Sequence, residues 1–172
     1  MEICVTMDLR RYLKSGKAEA ICNLSGVLNH RIVRKEETKK DTLSRVTGEM
    51  NDIKKDKPGL HSAAIVEMLP GMGFETAAAS IGSAWEESVR LEKSTINLSN
   101  FGVISSEPLY FGEVPVEEAY LVTPVFKAPS FMLGASTYQG KLTFTAGYCE
   151  PEVRKEDVKQ FFLEFKKELL GL

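Results

Sequence analysis

The sequence predicts an α/β fold in which a sheet packs against helices, and three observations predict it. Over residues 41–91 apolar residues recur at helical spacing, and on either side of that stretch the pattern turns extended. The chain then closes with one strongly amphipathic helical segment. With 172 residues and 43% hydrophobic content, there is enough material for one core of useful size, and no internal repeat or low-complexity linker divides the chain. One domain over residues 1–172 is expected.

Taken in order, residues 3–7 read as a short strand leading into Asp8-Leu9-Arg10-Arg11-Tyr12-Leu13, and Ser15-Gly16-Lys17 breaks the pattern. Residues 22–33 alternate apolar and polar positions around Gly26, which predicts a strand with a bulge or bend. From Asp41 the period changes: Leu43, Val46, Met50 and Ile53 share a helical face, with Asp41 or Thr42 placed to cap it. Pro58-Gly59 ends that helix, and a second runs through Leu60, Ala64, Ile65 and Met68 until Pro70-Gly71. Residues 74–91 are rich in alanine and serine and are predicted helical in part, with Gly82 weakening the pattern.

Beyond Glu92 the chain reads as extended. Residues 95–103 predict a strand ending in a turn, and residues 119–126 are rich in strand-forming types. Residues 131–137 and 142–148 flank Tyr138-Gln139-Gly140-Lys141, a hairpin signal in which Gly140 supplies a positive φ. Leu142, Phe144, Ala146 and Tyr148 share one face of the second strand, which is expected to pack on helices. The last helix carries Val158, Phe161, Phe162, Phe165, Leu169 and Leu170 as one apolar stripe, read as core.

Charge and cysteine usage exclude several function classes. The 22 basic and 24 acidic residues nearly cancel, so the basic face that nucleic-acid binding needs is missing. The densest basic stretch, residues 31–40, is interrupted by Glu36 and Glu37 and reads as a solvated strand end and helix start. No apolar run approaches the length of a membrane span. Cys4, Cys22 and Cys149 have neither zinc-ligand nor Cys-x-x-Cys spacing, and no secretory peptide precedes them, so a reducing cytoplasm is the expected location. No metal-ligand cluster stands out.

Several segments, in order, resemble the second half of the condensation domains of non-ribosomal peptide synthesis and of related alcohol acyltransferases. Residues 3–13 are similar to the family's strand followed by Asp-x-Arg, here Asp8 and Arg10. Cys22-Asn23-Leu24-Ser25-Gly26 is similar to the asparagine-containing strand after it, and Leu98-Ser99-Asn100-Phe101-Gly102 resembles the later Ser-Asn-x-Gly turn. The resemblance covers nearly the whole chain and rests on order and spacing, because each motif alone is short.

That resemblance implies a chloramphenicol acetyltransferase-like lobe, an α/β (α+β) two-layer sandwich with a mixed sheet. It implies a two-lobed enzyme whose first lobe carries His-His-x-x-x-Asp-Gly, the second histidine acting as general base on an acceptor hydroxyl or amine. The acyl donor would be a thioester of coenzyme A or of a carrier protein's phosphopantetheine arm, a substrate rather than a tightly bound cofactor. This chain has only His30 and His61, and neither is followed by an aspartate at the required spacing. The place that matches the motif, residues 147–153, holds no histidine. The chain therefore reads as the non-catalytic second lobe, with no catalytic residue of its own.

The resemblance also selects candidates for the substrate tunnel or lobe interface: Asp8, Arg10, Asn23, Ser99 and Asn100. Arg10 would orient the partner lobe's motif aspartate through its planar fork, or would simply pair with Asp8. Asn23, Ser99 and Asn100 would face the tunnel, or would serve ordinary turn chemistry. Outside the resemblance, Cys149 with His30 or His61 as base would make a thiol nucleophile, against a plain reading of Cys149 as a small residue at a strand end. Glu150 and Glu152 would pair as carboxylates or supply negative charge to the first turn of the last helix. Gly71-Met72-Gly73 reads as a loop, and His61 as a buried or half-buried helix residue.

Two functions follow. In the first, the chain is a fragment of a longer acyltransferase or pairs with a separately encoded catalytic lobe, a reading motivated by a strand that begins at residue 3. In the second, it is a free-standing module that forms a homo-oligomer or binds a small apolar ligand.

Overall fold

A computed structural model describes residues 2–16, 23–33, 35–91, 96–127, 130–150 and 152–171. The fold is mixed α/β, with five strands of seven or eight residues and four α-helices among the described residues. The chain forms two compact units, Met1–Ser88 and Val89–Leu172.

In the first unit, β1 (Glu2–Asp8) pairs antiparallel with β2 (Ser25–Arg31), His30 opposite Ile3 and Ser25 opposite Asp8. A 3-10 turn, Leu9–Tyr12, follows β1 and starts at Asp8, whose carboxylate accepts from Arg10 N–H. Helix α1 (Lys39–Ile53) begins two residues before the expected Asp41. Its cap is Thr38, not Asp41 or Thr42: Thr38 Oγ1 accepts from Asp41 N–H, and Asp41 Oδ2 accepts back from the Thr38 hydroxyl. The reciprocal pair satisfies one of the amides that a helix start leaves open.

Helix α2 (Leu60–Met68) starts at Gly59, held at φ +90°, a backbone region that a side chain would resist. Gly59 also lies against Gly26 of β2, where a Cβ would meet Gly59 O at 2.2 Å, so the two glycines let helix start and strand touch through their backbones. Ser62 Oγ accepts from Val27 N–H at 2.7 Å and donates to Gly59 O, tying α2 to β2. After a 3-10 turn at Pro70–Met72, α3 (Phe74–Arg90) is helical throughout rather than in part, Gly82 included.

In the second unit, β3 (Ile96–Val103) runs parallel to β6 (Phe131–Tyr138), and β6 runs antiparallel to β7 (Lys141–Gly147). The β6–β7 turn places both Gln139 (φ 45°) and Gly140 (φ 78°) in the left-handed region, the geometry a two-residue hairpin needs. Helix α4 (Lys155–Leu170) covers one face of this sheet through edge-on ring contacts, Phe131 with Phe161 at 5.5 Å and Phe144 with Phe165 at 4.9 Å. Each such pair contributes about 0.5–1.5 kcal/mol beyond burial. Of the stripe expected to be core, Val158 is buried and Phe161, Phe162 and Phe165 are half-buried, while Leu169 and Leu170 are exposed.

The opposite face is covered by residues 104–126, which include a small hairpin of β4 (Tyr110–Phe111) and β5 (Val114–Pro115). No strand forms over residues 119–126, contrary to their composition. Their backbone is bonded by side chains instead: Leu121 N–H donates to Ser136 Oγ, and Leu121 O accepts from Thr145 Oγ1. The segment lies flat because Gly134 and Gly147 offer no Cβ; one on Gly147 would meet Pro124 O at 2.3 Å.

Candidate functional site

Three of the five candidate residues gather at one end of the β1–β2 pair. Asp8 Oδ1 accepts from Arg10 N–H at 3.0 Å and from Arg10 Nη1 at 3.2 Å. Ser25, opposite Asp8 in register, donates its hydroxyl to Asn23 Oδ1 at 2.5 Å, and Leu9 N–H donates to Leu24 O. The structure thus holds Asp8, Arg10 and Asn23 on adjacent chain segments, with Arg10 engaged locally by Asp8.

Ser99 and Asn100 belong to β3 of the second unit. Ser99 is buried opposite Gly134, while exposed Asn100 accepts from Gly102 N–H at 3.0 Å, where the strand register shifts. That bond is the turn chemistry an asparagine favours.

The two histidines have different settings. His30 is half-buried, and its Nε2 lies 3.0 Å from Glu49 Oε2. Glu49 in turn accepts from Arg45, whose guanidinium forks onto Glu37 at 2.6 Å and donates to Val33 O. The Arg45 guanidinium beside them holds the Glu37 and Glu49 carboxyls below the usual carboxylate range. The network joins β2 to α1 and is built for structure.

His61, expected to be buried or half-buried, is exposed. Ser62 takes the position of α2 that bonds β2, and exposed His61 lines an open groove of about 660 Å³. Val27, Ile53, Pro58, Ile65 and Val66 line that groove.

The remaining sequence candidates resolve into local structure. Cys149 is half-buried and its thiol donates to Glu150 O at 3.6 Å. Glu150 and Glu152 do not occupy the first turn of α4: a turn from Cys149 O to Val153 N–H intervenes, the cap is Arg154, and Glu156 and Asp157 hold those positions. Arg154 forks onto Asp157 at 2.8 Å and lowers that carboxyl below its usual value. Gly71 lies inside a single 3-10 turn and Gly73 ends it, with open space around both. Cys22 lies outside the described residues. Among the described residues no group of three His, Cys, Asp or Glu could hold a metal ion, and no helix is long and apolar enough to cross a membrane.

Sequence reasoning missed the segment 104–126 as a feature of interest. Its signal is eight large apolar residues within 17 positions that the fold leaves exposed.

Among curated proteins and solved structures, none matches the chain. Residues 23–172, which include Asn23, β3 with Ser99 and Asn100, and the closing hairpin and helix, match the WS/DGAT C-terminal domain. Members of that family use acyl-CoA substrates, and this domain is normally paired with an N-terminal catalytic domain. The chain therefore belongs to the WS/DGAT C-terminal domain family, part of the chloramphenicol acetyltransferase-like superfamily of CoA-dependent acyltransferases.

Proposed function

We propose that this chain is the non-catalytic lobe of a wax ester synthase-type acyltransferase. It shapes one side of a tunnel in which a catalytic lobe moves an acyl group from coenzyme A to a hydroxyl. The observation that carries the reading is the match over residues 23–172 to a C-terminal domain, in a sequence without His-His-x-x-x-Asp-Gly.

The local geometry supports a supporting role. A general base must reach the acceptor hydroxyl with a free ring nitrogen and a near-neutral pKa. His30 is tied through Nε2 to Glu49 in the network that joins β2 to α1, and neither His30 nor His61 is followed by an aspartate at the motif's spacing. In the paired enzyme the base comes from the other lobe, where attack of the acceptor oxygen on the thioester carbonyl releases the coenzyme A thiol. Asp8, Arg10, Asn23, Ser99 and Asn100 are the residues we assign to the tunnel or lobe boundary. The thiols of Cys4 and Cys149, both free, suit a reducing cytoplasm.

The test is acyl transfer from acyl-CoA to an alcohol by the chain alone, by a WS/DGAT catalytic domain alone, and by the two together. Activity only in the mixture is expected; turnover by this chain alone overturns the reading. In the mixture, Arg10→Ala and Asn100→Ala should each lower turnover, and unchanged turnover removes that residue from the site.

A further inference from the structure

We draw no further inference here: the strongest candidate, the open groove between β2 and α2 lined by Val27, Ile53, Ile65 and Val66, carries nothing because nothing in the structure shows what covers it.

Discussion

The hydroxyl of Tyr138, a residue only 2% exposed, accepts from Leu109 N–H at 2.9 Å and thereby fixes the chain that runs beneath β6. The same hydroxyl donates to Val116 O, and Val116 N–H donates to Leu109 O at 2.8 Å, so one phenol closes both ends of the excursion carrying β4 and β5. Tyr138→Phe keeps the ring and deletes the closure. It should cost about 1–3 kcal/mol, because an amide and a carbonyl lose their partner. Urea unfolding reads the loss, and hydrogen exchange should show it first at Leu109. An unchanged Leu109 exchange rate would remove Tyr138 as the clasp.

Two glycines should respond to alanine with opposite signs. Gly147 lies under the carbonyl of Pro124, where a methyl group has no room, and the obstacle is backbone. Gly147→Ala should destabilise by about 1–3 kcal/mol, as overpacking does. Gly82 is in the middle of α3 with nothing within 4 Å of a Cβ. Gly82→Ala should stabilise by about 0.5–1 kcal/mol through helix propensity. Thermal melts of the two variants check the pair, and the same sign for both would refute the packing argument.

The contrast also shows what was legible in the sequence. Local signals sufficed where local chemistry decides: Gln139-Gly140 fixed the hairpin, and the phenylalanines of α4 marked the face that meets Phe131 and Phe144. They failed over residues 119–126, where strand-prone residues form no ladder because Ser136 and Thr145 take the backbone of Leu121. No periodicity reports that Gly134 and Gly147, far along the chain, leave space for it. Among the candidate site residues, the Asp8–Arg10 bond was readable from a two-residue spacing. The grouping of Asn23 with them depends on the β1–β2 register, which the motifs implied only in order.

The start of α1 was also written locally, in Thr38-x-x-Asp41, though Lys39-Lys40 hid it behind a charge run. Thr38→Ala removes both halves of the reciprocal bond. It should destabilise the chain by about 1 kcal/mol, whereas Thr42→Ala leaves the cap in place. Amide exchange at Asp41 distinguishes the two: faster exchange in the first variant only is expected, and equal protection would assign the cap elsewhere.

The Arg45 network gives a pH dependence whose sign follows from the direction of the shifts. Glu37 and Glu49 have carboxyl pKa values lowered by the Arg45 guanidinium, Thr42 and Lys35 assisting at Glu37 and His30 at Glu49. A carboxyl whose folded pKa is depressed binds protons more readily when the chain unfolds. Its stabilisation is therefore complete above the ordinary carboxylate pKa, about 4.3 for glutamate, and is lost as pH falls through the lower folded values. From pH 7 to about 5 these two carboxyls contribute a constant amount; below about pH 4 the melting temperature should fall as Glu37 and Glu49 are protonated. Arg45→Met leaves both carboxylates without their fork, so the variant should be less stable at pH 7 and lose less on acidification. Melting curves of both proteins from pH 7 to pH 3 test this. The slopes should diverge only in the acid range, and parallel curves throughout would show that Arg45 does not set the carboxylate affinities for protons.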